Sequence, residues 1–160
     1  MKENLVWKKE EKIIKKRFTR KVNIKIIGMS DVHGRVLPWN YAADEKDNSG
    51  SYAQISTYVK KLRKNNKNVL LMEVGDAIQD NWIEYFANDK RHPIPQILNY
   101  MKCDIFVPGN HEFNFGMPIL TNILKDMKAK KLLANLFYND KNKNNFNLSK
   151  DKKRYLDATT

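Results

Sequence analysis

The sequence contains few of the residues that mark several common protein classes. Cys103 is the only cysteine, so no disulfide can form within the chain. We expect its thiol to pack as a small apolar group. No apolar run approaches the roughly 20 residues that a membrane-spanning helix needs, so the sequence predicts no transmembrane segment. Hydrophobic residues nevertheless make up 41% of the chain, which is enough for a core and argues against wholesale disorder.

Acidic residues are also few. There are 18 Asp and Glu against 30 Lys and Arg, which gives a formal net charge of +12. Most of this excess lies at the ends, because residues 1–21 carry +6 and residues 139–160 carry +3. Such a charge could serve nucleic-acid binding, but no zinc finger or basic strand interleaved with aromatics accompanies it. We therefore favour solvated ends over a nucleic-acid-binding function.

The two ends differ in composition from the centre of the chain. Residues 1–21 form a basic extension without the roughly 7–15-residue apolar core of a secretory signal, so the chain as it stands predicts a cytoplasmic location. Residues 139–160 are rich in Lys and Asn, and we expect a loop or a disordered tail there. The folded domain is predicted to lie between them, over residues 22–138.

Strands and helices are predicted to alternate through this central region. Apolar runs indicate strands over 22–29, 69–74, 104–107 and 131–136. Helical spacing or a first-turn proline indicates helices from about Ser51, Trp82, Pro93 and Pro118. This alternation favours the α/β class, with a parallel sheet that helices cover on both faces.

Three short polar motifs stand directly after predicted strands. They are Asp31-Val32-His33-Gly34, Gly75-Asp76 and Gly109-Asn110-His111-Glu112. In an open α/β sheet the functional crevice lies at the carboxyl ends of the strands. The carboxylate, amide and imidazole groups of these motifs are therefore expected to meet at one edge, where they could bind metal ions.

Each motif also has a purely structural interpretation. An extended backbone would direct Asp31 and His33 to the same side, where both could bind one cation, but a turn aspartate and a surface histidine would give the same pattern. Asp76 could bridge two metal ions or cap the following helix. His111 could move a proton or stabilise a phosphoryl oxygen, or be an ordinary loop histidine. His92 follows no strand, and we assign it no role.

The combination of the three motifs is more specific than any one of them. They occur in the order D-x-H, G-D and G-N-H-E, about 45 and then about 35 residues apart. This arrangement resembles the calcineurin-like metallophosphoesterase superfamily. The strings SDVHGRVLP, GDAIQDN and GNHEFNFG are similar to the bacterial 5′-nucleotidase and 2′,3′-cyclic-nucleotide 2′-phosphodiesterase family. The resemblance covers residues 22–138 and implies the N-terminal half of a metallophosphoesterase α/β sandwich, with strands that end in metal-ligand loops.

The resemblance implies a role for each matching residue. Asp31 and His33 would hold a first metal ion, and Asp76 would bridge it to a second. Asn110 would bind the second ion through its amide oxygen. His111 would be the catalytic histidine beside the leaving-group oxygen. Both ions would be divalent, and ligands of this kind suit Mn, Zn, Fe, Ni or Co.

The implied activity is two-metal hydrolysis of a nucleotide phosphoester, in which a bridging hydroxide attacks phosphorus. Asn114 occupies the position at which the nucleotidase branch has an aspartate that orients the catalytic histidine. An amide can hydrogen-bond the ring, but it cannot stabilise an imidazolium as a carboxylate does. Asparagine at this position is similar to the cyclic-phosphodiesterase branch of the family, and this resemblance implies 2′,3′-cyclic nucleotides as the substrate.

The chain departs from the family in its supply of histidines. Relatives complete the metal site with histidines from later loops, whereas no histidine follows His111 in this sequence. We therefore expect a partial metallophosphoesterase domain that a C-terminal half or a second chain would complete. The alternative is a truncated, catalytically incomplete fragment with weak or no metal binding. Relatives are commonly exported or periplasmic enzymes of nucleotide catabolism, in contrast to the location predicted from the N-terminus.

Overall fold

The structure is a computed structural model that describes residues 21–134 and 136. The predicted extension before Lys21 and the predicted tail over 139–160 lie outside the described residues. Within the described part of the chain, the helices are all too short or too polar to cross a membrane.

Strands and helices alternate along the described chain, as the sequence predicts. The strands are β1 (Lys25–Met29), β2 (Trp39–Asn40), β3 (Glu45–Lys46), β4 (Val69–Glu73), β5 (Ile105–Phe106) and β6 (Lys130–Lys131). The α-helices are α1 (Tyr52–Asn65), α2 (Pro93–Tyr100) and α3 (Met117–Asp126), and two 3₁₀ segments span Asn81–Phe86 and His111–Phe113. Local chemistry sets the helix starts: the Ser51 hydroxyl caps α1 by accepting from the N–H of Gln54, and prolines occupy the first turn of α2 and α3.

The main sheet is parallel and follows the order of the chain. Its strands run β1-β4-β5-β6, and every neighbouring pair is parallel. The predicted α/β class is therefore confirmed. Because all four strands point the same way, the loops after β1, β4 and β5 leave the sheet at one edge.

Helices cover one face of this sheet. Sequential strand order with right-handed crossovers places every connecting helix on the same side. Leu71 and Phe106 point into that side and are fully buried, whereas Ile26 and Val74 on the other side are 64% and 42% exposed. Each helix contributes buried residues to the same core: Tyr52, Val59, Ile94, Leu98, Leu120 and Ile123. The expectation that helices cover both faces is wrong for the described residues.

The β2–β3 hairpin differs from the sequence prediction, whereas the position of Cys103 agrees with it. Residues 41–50 are mostly polar and contain β3, which pairs with β2 as a small antiparallel hairpin that the sequence pattern did not indicate. Cys103 is 7% exposed and belongs to the core, as predicted. Burial raises the pKa of its thiol to about 11, so the side chain behaves as an apolar group.

Candidate metal site

Three loops leave the carboxyl edge of the sheet and meet there. We call residues 30–34 the first loop, residues 74–80 the second loop and residues 107–114 the third loop. The backbone N–H of Asp31 donates to the carbonyl of Gly75 (3.0 Å), and that of His33 donates to the carbonyl of Asp76 (2.9 Å). These two bonds align the first loop with the second, and so place two of the predicted motifs side by side.

The first loop is not extended. Asp31 and His33 have φ values of 54° and 49°, in the left-handed region that non-glycine residues rarely adopt. Their side chains nevertheless approach each other, with Nε2 of His33 3.9 Å from Oδ1 of Asp31. The backbone is therefore not extended here, and a turn with positive φ brings the pair together instead. Such strain is typical of functional sites.

Three side chains of the predicted motifs form a compact group, which we call the histidine cluster: His33, Asp76 and His111. One potential ligand atom from each lies within 4.8 Å of the others. The two imidazole rings are 5.2 Å apart between centroids and nearly perpendicular, at 71°. Two imidazoles and a carboxylate form a donor set that suits divalent transition metals. The residues present therefore fit a metal ion.

Two glycines allow the second and third loops to touch. A Cβ on Gly75 would lie 2.5 Å from the Cα of Gly109, and φ at Gly75 is 109°. A Cβ on Gly109 would lie 2.3 Å from Oδ1 of Asp76. Any larger residue at either position would push the loops apart or displace the Asp76 carboxylate.

Glu112 holds these two loops together from inside. Its side chain is fully buried, and its carboxylate accepts hydrogen bonds from the backbone N–H groups of Asp76 (2.8 Å), Ala77 (2.7 Å) and Gly109 (2.6 Å). The N–H of His111 in turn donates to Oδ1 of Asp76 at 2.9 Å. The position of the Asp76 carboxylate is thus fixed from both loops. Glu112 belongs to the G-N-H-E motif, but the sequence pattern predicted no role for it.

The ring of His111 contacts two side-chain amides. Its Nδ1 lies 2.6 Å from Oε1 of Gln79, and the same oxygen accepts from Nδ2 of Asn114 at 2.5 Å. The Asn114 nitrogen also lies 3.1 Å from Nδ1 of His111. Asn114 therefore stands beside the ring, as its motif position implies, and both groups contact the same oxygen of Gln79. Gln79 was not among the predicted site residues.

The ring of His33 contacts a carboxylate that was also not predicted. Its Nδ1 lies 2.9 Å from Oδ2 of Asp80, and its backbone carbonyl accepts from Nδ2 of Asn81 at 2.6 Å. A cleft of about 660 Å³ opens beside this group. Arg35 also lines the cleft, where its guanidinium donates to the Asp47 carboxylate at 2.6 Å.

The remaining predicted ligand and the third histidine occupy different surroundings. Asn110 is exposed and directly precedes the 3₁₀ segment that begins at His111.

His92 is buried at the start of α2, where its Nδ1 accepts from the N–H of Ile94 at 3.3 Å. Burial lowers the pKa of His92 to about 4, which keeps its imidazole neutral. His92 is thus a structural cap of a helix.

A second buried carboxyl lies at the end of β4. Glu73 is fully buried, and its Oε2 accepts from the Tyr52 hydroxyl at 3.1 Å. Burial in these apolar surroundings raises the pKa of Glu73 to about 8. Removal from water favours the neutral acid, so this group carries a proton over most of the physiological range.

The fold and the cluster define an α/β protein with a metal-capable site at the strand ends. The Calcineurin-like phosphoesterase family matches residues 24–158, and the chain therefore belongs to this family. The trifunctional nucleotide phosphoesterase protein YfkN of Bacillus subtilis is 32% identical over 114 residues, 65% of this chain and 8% of that protein. The 2′,3′-cyclic-nucleotide 2′-phosphodiesterase/3′-nucleotidase of Haemophilus influenzae is 28% identical over 67% of this chain and 17% of its own length. The snake venom 5′-nucleotidase of Naja atra is 30% identical over 69% and 21%, respectively.

Solved structures give the same result for the fold. The calcineurin-like phosphoesterase YfkN from Bacillus subtilis superimposes with a TM-score of 0.67 at 29% identity, over 74% of this chain and 38% of that one. A putative 5′-nucleotidase from Staphylococcus aureus gives a TM-score of 0.65 at 27% identity, over 73% and 24%. The resemblance inferred from the motifs is confirmed. The chain spans about a fifth or less of the length of these curated relatives.

Proposed function

We propose that this chain supplies the first ligand loops of a metal-dependent hydrolase that acts on nucleotide phosphoesters, of the 5′-nucleotidase or 2′,3′-cyclic-nucleotide phosphodiesterase type. The observation that carries this proposal is the approach of His33, Asp76 and His111 to within 4.8 Å at the loop edge of the sheet. Membership in the Calcineurin-like phosphoesterase family supports the class of reaction.

We infer that the site would hold two divalent ions. Asp31 and His33 would hold the first, Asn110 the second, and Asp76 would lie between them. Asp76 suits the bridging position because the backbone N–H of His111 fixes its Oδ1 at 2.9 Å. Bound divalent ions supply Lewis acidity toward the phosphate and activate a water as nucleophile near neutral pH.

His111 would act on the leaving group. With Nδ1 directed at Gln79, its Nε2 is the nitrogen left to hold or deliver a proton. The ring also lies close enough to His33 and Asp76 to serve as a ligand. The two roles make different predictions, because His111→Ala should abolish turnover but spare metal binding only if the ring is not a ligand.

The competing proposal is a catalytically incomplete chain that binds metal weakly or not at all. The four proposed ligands, with Asp76 shared, provide three or fewer protein ligands for each ion, whereas closed zinc sites take four. Water, substrate and residues from a C-terminal half or a second chain would then complete the coordination.

Hydrolysis of bis-p-nitrophenyl phosphate with Mn²⁺ tests the proposal. We expect activity in the wild type and at least about a 100-fold loss in Asp76→Asn, since that change removes the bridging charge. Asp44→Asn is the matched control. It makes the same chemical change at an exposed hairpin position, where φ is 52° compared with 60° at Asp76. Equal activity in Asp76→Asn and the wild type would contradict the proposal. Inactivity of all three would favour the incomplete chain.

A further inference from the structure

We propose that two consecutive side chains, Gln79 and Asp80, position the two histidines of the cluster and give them different electrostatic character. Gln79 contacts Nδ1 of His111, and Asp80 contacts Nδ1 of His33. Each contact leaves Nε2 as the free nitrogen of its ring. The inference rests on the proposed function and adds two positioning residues to it.

The contacts of Gln79 define which nitrogen of His111 carries the proton. Its Oε1 accepts from Nδ2 of Asn114 at 2.5 Å, which orients the amide with its oxygen toward the ring. Nδ1 of His111 lies 2.6 Å from the same oxygen, which is a hydrogen-bond distance. Because an amide oxygen can only accept, the nitrogen must be the donor. Nδ1 therefore carries the hydrogen, and the lone pair of the neutral ring resides on Nε2.

Asp80 contacts Nδ1 of His33 and leaves Nε2 of that ring free. Nδ1 of His33 is a buried atom without a hydrogen-bond partner of linear geometry among the described residues, and Oδ2 of Asp80 lies 2.9 Å from it. Nε2 of the same ring is on the side of Asp31, at 3.9 Å from its Oδ1. A carboxylate on the far nitrogen of an imidazole is the usual support of a metal-binding histidine, because it fixes the ring and raises its basicity.

The backbone of the second loop explains how neighbouring residues reach different rings. Asp80 has a φ of 70° and Asn81 a φ of 54°, so the chain bends directly after Gln79. Two hydrogen bonds hold this turn: the N–H of Asp80 donates to Glu84 (2.7 Å), and Nδ2 of Asn81 donates to the carbonyl of His33 (2.6 Å). The strained turn thus sets the directions of both positioning side chains.

The two contacts suit the rings to different tasks. The negative charge of Asp80 strengthens His33 as a donor to a cation. The neutral amide of Gln79 fixes the tautomer of His111 without stabilising an imidazolium as a carboxylate would. His33 is accordingly the better permanent ligand, and His111 is held in one tautomer with its Nε2 free.

Nitrogen NMR of the histidine rings tests the assignment for His111 without any need for activity. Long-range ¹H–¹⁵N correlation on the metal-free full chain at about pH 8, where free imidazole is neutral, reports which nitrogen is protonated. We expect the Nδ1–H tautomer in the wild type, its retention in Gln79→Glu, and its loss in Gln79→Met, which keeps the length but has no oxygen. His92 serves as the internal control. An Nε2–H tautomer in the wild type, or an unchanged His111 in Gln79→Met, would overturn this part.

Mn²⁺ calorimetry tests the assignment for His33. Asp80→Gly removes the carboxylate and accommodates the positive φ, so it should fold, and we expect its affinity to fall about 10–100-fold. Gln79→Met should change the affinity for Mn²⁺ less than about twofold. In the hydrolysis assay this variant should lower kcat rather than raise KM, and Gln79→Glu should restore part of the lost turnover. An Asp80→Gly affinity equal to that of the wild type would overturn the inference. If the wild type hydrolyses no phosphoester at all, the proposed function fails, while the tautomer and affinity results still decide this inference.

Discussion

The first loop and the joined second and third loops form the same site in different ways. The second and third loops are packed so closely that Gly75 and Gly109 leave no space for a Cβ, and the buried Glu112 carboxylate links their backbones. The side chain of Asp31 in the first loop is 64% exposed, and backbone bonds to the second loop hold it there. The comparison indicates that changes at Gly75, Gly109 and Glu112, which join the second and third loops, will affect folding, whereas a change at the exposed carboxylate of Asp31 will mainly affect metal binding.

The largest expected effect is at Glu112. Glu112→Ala leaves four backbone N–H groups without their acceptor in a buried place, so the free energy of unfolding should fall by about 3–5 kcal/mol. Glu84→Ala is the control, because Glu84 is exposed and accepts from the N–H of Asp80. That variant should lose about 1 kcal/mol or less. Urea denaturation measures both, and equal losses would contradict the distinction between the loops.

The second effect concerns the contact between the two glycines. Gly75→Ala places a Cβ 2.5 Å from the Cα of Gly109 at a φ of 109°, and we expect a loss of about 2–3 kcal/mol. Gly28→Ala adds the same methyl group where nothing lies within 4 Å, so its thermal midpoint should stay the same or rise slightly. A Gly75→Ala protein as stable as Gly28→Ala would show that the loops are not closely packed.

The third effect depends on pH and arises from Glu73, below the joined loops. Its pKa is raised by burial from 4.5 to about 8, so between these values the folded protein holds a proton that the unfolded chain has released. The free energy of unfolding should therefore fall as pH rises through this window, by up to about 1.4 kcal/mol per pH unit. Glu73→Gln cannot ionise and should lose this dependence. Denaturation at pH 5 and pH 8 measures it, and identical slopes in both proteins would refute the assignment.

The smallest effect on stability is expected in the first loop. Asp31→Asn keeps the shape of an exposed side chain, so the free energy of unfolding should change by less than about 0.5 kcal/mol. The loss of a ligand charge should nevertheless weaken Mn²⁺ binding at least about tenfold in a calorimetric titration. A stability loss comparable to that of Gly75→Ala would remove the contrast between the two parts of the site.

Much of the fold could be predicted from the sequence, because helix caps, first-turn prolines and apolar runs act locally. Ser51 and the prolines at the starts of α2 and α3 fixed three helices to within a few residues. The β2–β3 hairpin could not be predicted, since strands of two residues leave no periodic pattern. Which faces of the sheet are covered depends on strand order, which no local pattern encodes.

The residues of the site could likewise be predicted only in part. Asp31, His33, Asp76 and His111 directly follow strands, so the sheet itself brings them together. Gln79 and Asp80 reach the two rings only because the backbone turns through positive φ at residue 80, which an aspartate tolerates but does not by itself encode. Their one sequence cue is the presence of two polar residues shortly after the G-D motif, between a strand and a short helical segment.

Calorimetric titration of the metal-free chain with Mn²⁺ tests most directly whether the strand ends form a divalent-metal site. The account predicts saturable binding by the wild type and by Asp44→Asn, and its loss in Asp76→Asn, which alters the only carboxylate of the histidine cluster. An Asp76→Asn variant that bound Mn²⁺ as tightly as the wild type would contradict the account. A wild-type chain without saturable binding would contradict it as well.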